Sequence, residues 1–400
     1  MWGSEVLMEE KKLGVRNVVS VSVGLVIATS CLVSLGQGAG NIGVVFIFAM
    51  IIACMLNMIS IASMSELNAL MPNTTGGLAQ YTLTSLGPVP TMVSMVGGYI
   101  LCNVLSAGVE ASIFSYAMGE ILHLPISNFW YTFLVTTVLL IANLKGVDMF
   151  AKIQDLVAYL LLGSMFFMGL IGALGMGTGV KVDQPYYMTT NPADIVPMIA
   201  VAFWLFIGAE YAIPISKDVK NAKRNVPLGM FIGLAIMCGV QSVMIFGFHN
   251  YTTWKELTES PAPHLLYGMN LLGTPGKLWM TLVAALAVVS TQNSSVQGLA
   301  NICQGMAKMN MMPQFFAKTN KNNVPYIGVW FVSLLILFFG YISNDSSKLI
   351  SFLILVGSVF WMVSYIFAHI DVLVLRHRLP KAPRTFKVPF GPVLPLIGIA

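Results

Sequence analysis

Long apolar stretches separated by short polar breaks run the length of the chain. They lie near residues 17–35, 44–70, 90–118, 129–144, 150–176, 194–215, 227–249, 278–305, 325–342 and 348–375, and an eleventh begins near 388. Each is far longer than the ~10-residue strand of a membrane barrel, and a helix satisfies its own backbone groups in lipid. The pattern predicts an all-α polytopic membrane protein with ten complete spans. Composition agrees: 56% of the 400 residues are hydrophobic and 9% charged, against roughly 25% charged in a soluble domain. This excludes a soluble enzyme, a nucleic-acid binder and a disulfide-stapled secreted domain.

Charge sets the orientation. With the N-terminus inside, 17 of the 21 Lys and Arg residues fall in the inner segments, and only Lys181, Lys255, Lys277 and Lys348 fall outside. That bias predicts a multi-pass protein of the plasma (inner) membrane with a cytoplasmic N-terminus. The outer stretch 250–277 reads as a loop with a short surface helix. Ten spans form two sets of five, and the second set starts from the opposite side. This is the layout of inverted-repeat transporters. The expected division is a tail at 1–16, a first five-helix repeat at 17–177, an external loop at 178–193, a second repeat at 194–376, and a cytoplasmic loop with the start of helix eleven at 377–400.

Two spans carry signs of interruption. Ala28, Thr29, Ser30 and Cys31 break the apolar run of span one, and Gly36, Gly38 and Gly40 follow. Span six carries Gly208 and Glu210 at mid-membrane, then Pro214. Interrupted helices at corresponding positions of two halves point to a transporter binding site. The freed N–H groups hold an anion, and the freed carbonyls hold an ammonium or a metal ion. The same small residues also serve simple close packing of helices.

These residues resemble the amino acid–polyamine–organocation permeases almost from end to end. Glu66–Pro72 with Gly76, Gly77 and Tyr81 is similar to the family's stretch after span two. Phe203–Glu210 followed by Lys220–Pro227 is similar to its sixth span and inner loop. Met306–Pro313 with Phe316, Lys318, Val324 and Pro325 resembles the segment after span eight, and Arg384–Pro389 the lead-in to span eleven. The resemblance implies the leucine-transporter fold, two inverted repeats with helices 1 and 6 interrupted, and alternating access around a central site. Relatives usually have about twelve spans, so it also implies a chain that stops within the eleventh. The family's first span usually has Gly-Ser-Gly where this chain has Ala28-Thr29-Ser30, whose Cβ atoms crowd the approach of a substrate carboxylate.

Glu110 and Glu210 read as the two carboxylates deepest in the spans, where a charge costs roughly 2.5–3.5 kcal/mol and usually serves function. Both are candidates for proton coupling. Asn103, Ser106, Ala107 and Glu110 share one helical face; Glu110 also reads as an acid hydrogen-bonded to a neighbouring helix. Trp204, Phe206 and Ile207 flank the second break beside Gly208, where aromatics offer a cation–π surface. Ser290–Ser295 form a polar run in span eight. Asn293 and Ser294 there are candidate pathway residues, and Ala28, Thr291 and Ser294 form a candidate sodium site. Asp371 reads as a surface ion pair with Arg376. The sequence has no HExxH and no histidine paired with a mid-span carboxylate, so it predicts no enzyme and no cofactor. The expected substrate is an amino acid or a small organic amine, moved by a secondary transporter, with a proton or sodium as coupling ion. The alternatives are a polyamine or amine exchanger, or a non-transporting ligand sensor of the same fold. Oligomeric state is not legible.

Overall fold

A computed structural model describes residues 13–71, 77–122, 125–189, 191–343 and 347–400. The motif residues Pro72 and Gly76, and most of the N-terminal tail, lie outside them. Among the described residues the chain is helical and has no strands. In order the helices are α1 (Val15–Val26), α2 (Thr29–Ile42), α3 (Phe46–Leu70), α4 (Leu78–Leu86), α5 (Pro88–Met92), α6 (Cys102–Leu122), α7 (Phe129–Leu144) and α8 (Val147–Ala173). They continue as α9 (Ile195–Trp204), α10 (Ala222–Tyr251), α11 (Trp254–Glu259), α12 (Pro263–Leu272), α13 (Thr274–Lys308), α14 (Tyr326–Ser343), α15 (Ser347–Arg378) and α16 (Val393–Ile399). A π-helical stretch, Val93–Leu101, joins α5 to α6 in one long span.

Each of the ten apolar runs contains such a helix. Among the described residues seven helical segments are long and apolar enough to cross a membrane alone, α1 and α2 make an eighth as a bent pair, and two shorter apolar helices are α7 and α14. The lipid-facing side follows helical spacing: Leu134, Val138 and Ile141 on α7 are exposed, at i, i+4 and i+7. The polar run of α13 from Ser290 to Ser295 is wholly buried, because lipid gives its hydroxyls and amides no partners.

The expected interruption of the sixth apolar run is present: it is regular helix only to Trp204, and beyond it come a turn at Gly208 and a 3-10 segment, Ala209–Ala212. Two expectations change. The eleventh helix starts at Val393, after Pro392, rather than near 388. The stretch 250–277 is not a loop with a surface helix. Its two helices α11 and α12 bury Trp254, Leu257, Tyr267 and Leu271. Thr253 and Glu256 cap α11 reciprocally, with Thr253 N–H donating to Glu256 Oε2 at 3.0 Å and Glu256 N–H to Thr253 Oγ1 at 3.2 Å. The pair closes over α2, where Gly36 and Gly40 leave room for Pro263 and Thr258.

Candidate functional site

The first break is sharp. α1 and α2 meet at 66°, with Ile27 and Ala28 out of helical conformation between them. A helix start leaves its first N–H groups without intrahelical partners, and Ala28 has no side chain to cap them. The cap comes from span three. Thr29 N–H donates to Glu110 Oε2 at 2.7 Å, and Ser30 N–H to Glu110 Oε1 at 3.1 Å. Glu110 is buried.

The second break packs against the first. Gly208 has φ +116°, where a side chain is strained, and a Cβ there would lie 3.0–3.3 Å from Leu25 atoms. Both α1 and α9 end here, so two negative helix-dipole ends converge. Between them is a cavity of about 20 Å³, lined by Leu25, Val26, Ala28, Cys31, Asn103, Ser106, Trp204, Ile207, Thr291, Ser295 and Trp361. That is room for about one water molecule. Trp204 and Trp361 meet edge to face with centroids 6.3 Å apart. Trp204 Nε1–H donates to Ser30 Oγ at 3.3 Å, which ties α9 to α2.

Glu210 lies behind Trp361 and is fully buried. It accepts from Trp361 Nε1–H at 2.7 Å, Tyr365 O–H at 2.7 Å and Gly208 N–H at 3.2 Å. Trp361 also belongs to an aromatic triangle with Tyr99 and Tyr211, at centroid distances of 6.1–6.5 Å. The hydroxyls of Tyr99 and Tyr211 are buried without a partner. Trp361 and Tyr365 carry no signal in the sequence; only the fold brings α15 to residues more than 150 positions earlier.

The sequence candidates therefore divide. Ala28, Cys31, Asn103, Ser106, Trp204, Ile207 and Thr291 line the cavity. Thr29, Ser30, Glu110, Gly208 and Glu210 are not in the lining; Ser30 and Glu210 accept hydrogen bonds from its Trp204 and Trp361, and the others bond to these two or to each other. Ala107 and Phe206 are buried but do not line the cavity. Asn293 sits in a separate network, donating to Gln154 Oε1 at 3.0 Å and accepting from Asn143 Nδ2–H at 2.9 Å. Thr291 Oγ1 lies 3.5 Å from the Ile27 carbonyl, and the Ser294 hydroxyl is buried without a partner. Asp371 is not on the surface and does not pair with Arg376. It is buried and accepts from Thr82 at 2.7 Å and from Ser85. Arg376 and Arg384 instead hold Glu66, because a buried carboxylate so close needs its charge matched.

On the face that carries the N-terminus, α1 is latched to α8. Asp155 accepts from Asn17 Nδ2–H at 2.8 Å and from the Ser20 hydroxyl, with Arg16 Nε 3.7 Å away. Leu13 N–H donates to the Asp218 carbonyl at 3.1 Å, and Lys220 N–H to the Leu13 carbonyl at 2.8 Å. This joins the approach to α1 to the segment after the second break. Asp155 escaped the sequence reading because it lies near one end of an amphipathic-looking run, where a carboxylate normally faces water.

Residues 13–400 match the amino acid permease family. The branched-chain amino acid permease BcaP of Bacillus subtilis is 22% identical over 98% of this chain and 86% of that protein. The methylthioribose transporter of the same organism is 20% identical, covering 94% of this chain and 84% of that one. Among solved structures, a mutant manganese transporter from Eremococcus coleocola has a TM-score of 0.65 at 12% identity, over 100% of this chain and 86% of its own. That likeness is one of fold, the leucine-transporter type.

Proposed function

The chain belongs to the amino acid permease family, and on that premise we propose that it is a secondary transporter carrying an amino acid or small organic amine across the plasma membrane by alternating access. The observation that carries this reading is the convergence of the α1 and α9 C-terminal ends on one cavity beside two tryptophans. Carbonyl ends and indole faces together suit an ammonium group. The cavity is too small for any amine of this class, so loading requires the helices to part. The bundle opens to one side, closes around substrate, and opens to the other. Differential affinity of the states for substrate shifts their populations.

In this reading the repeats 17–177 and 194–376 move against each other, and the N-terminal face is cytoplasmic, as its excess of Lys and Arg supports. Opening there breaks the Asp155 latch and the Leu13 clip. Glu210 is the coupling acid: it spans the second break and α15, so a proton gained or lost there alters how those elements hold together. Sodium coupling is the second reading, supported by the Thr291 hydroxyl beside the Ile27 carbonyl at the end of α1 and by the partnerless buried Ser294 hydroxyl one turn further along α13. Uptake into proteoliposomes under an imposed proton or sodium gradient tests both. Saturable uptake driven by one gradient supports transport and names the ion. Ligand binding without uptake or counterflow makes the protein a sensor instead.

A further inference from the structure

The N–H groups opening a half-helix at mid-membrane are the ones that would receive a ligand carboxylate. Here they are already used. Thr29 and Ser30 N–H each donate to one oxygen of Glu110, at 2.7 and 3.1 Å, and the acid comes from the same chain 80 residues away. A ligand carboxylate placed at those donors would have to displace Glu110 or lie against it, and two carboxylates sharing one site repel.

Nothing else at the cavity replaces that lost anion site. Its lining contains no Lys, Arg or His. The remaining features all favour a cation: the carbonyl ends of α1 and α9, the indoles of Trp204 and Trp361, and a second buried carboxylate, Glu210, hydrogen-bonded to Trp361. Asn103 and Ser106 add neutral polar atoms two turns and one turn before Glu110 on the same helix. A zwitterion would gain at its ammonium and lose at its carboxylate; a plain amine would only gain. Among the described residues no three His, Cys, Asp or Glu side chains come together as a metal would need, so an organic cation fits better than a divalent ion.

Building on the transporter reading, we infer that Glu110 is an internal stand-in for a substrate carboxylate, and that the site selects amines bearing no α-carboxylate. The test uses matched pairs that differ only in that group: leucine and isopentylamine, lysine and cadaverine, phenylalanine and phenethylamine. The purified chain is assayed by thermal shift and by uptake into proteoliposomes. At least one amine binds and is carried, with its parent amino acid at least about tenfold weaker. Glu110→Gln, checked for folding by size exclusion, cuts that preference by about tenfold or more. Glu110→Asp serves if Glu110→Gln does not fold; its shorter side chain reaches Thr29 poorly and must also change the ratio. An amino acid carried as well as its amine, or a ratio unmoved by the variant, overturns the stand-in and leaves transport intact. Uptake of neither class from any pair overturns the transport reading, and the inference with it.

Discussion

Removing Asp155 should release the N-terminal half of the first span. Its carboxylate receives two charge-assisted hydrogen bonds, from Asn17 and from the Ser20 hydroxyl. Such bonds contribute about 1.5–3 kcal/mol each. Arg16 adds little, because its side chain is 75% exposed and exposed pairs are worth about 0–1 kcal/mol. Taking the low end for both bonds gives about 3 kcal/mol holding α1 on α8. At about 1.4 kcal/mol per factor of ten, Asp155→Ala raises the population with α1 released by roughly a hundredfold. Hydrogen exchange reads this directly: amides of residues 17–26 should exchange up to about a hundred times faster, while those of α13 keep their protection. A double-mutant cycle with Asn17→Ala separates the latch from general loosening, and the coupling should reach about 1 kcal/mol or more. Unchanged protection in α1 together with zero coupling would refute the latch.

Three further outcomes are expected. Glu210→Gln should abolish uptake driven by a proton gradient yet keep counterflow; gradient-driven uptake at the normal rate removes Glu210 from coupling. Gly208→Ala puts a Cβ at φ +116° against Leu25 and should cost about 1–3 kcal/mol, read as a drop in Tm of several degrees; an unchanged Tm means the turn has relaxed. Burial pushes the His264 imidazole on α12 down to about 4 from its ordinary 6.5. Between those values the unfolded chain holds the extra proton, so stability falls as pH drops through that window, by up to about 3 kcal/mol. His264→Asn should flatten that slope in thermal unfolding followed from pH ~7.5 to ~4.5, and parallel slopes would contradict the assignment.

The features visible in the sequence are those set by local pattern. Lipid forces each long apolar run to be helix, which is why 129–144 coincides with α7. The interruption at Ala28 was visible because small and hydroxyl residues replace branched ones there. Glu110 and Glu210 stood out because charge at that depth is costly. What the sequence concealed depends on pairing across long separations. Trp361 and Tyr365 look like ordinary apolar positions until α15 is laid against the second break. By proximity in sequence Asp371 is the partner that Arg376 and Arg384 suggest, and only packing selects the distant Glu66 for both arginines. Asn293 sits in the same polar run as Thr291 and Ser295, yet it faces Asn143 and Gln154 instead of the cavity.

The two main-chain bonds between Leu13 and the Asp218–Lys220 segment act as a yoke. They fasten together the free ends of the two discontinuous helices, so neither end swings out without dragging or shedding the other. Because main-chain atoms make the joint, a side-chain substitution leaves its donors and acceptors in place; a proline at Lys220, which deletes one donor, would cut the harness.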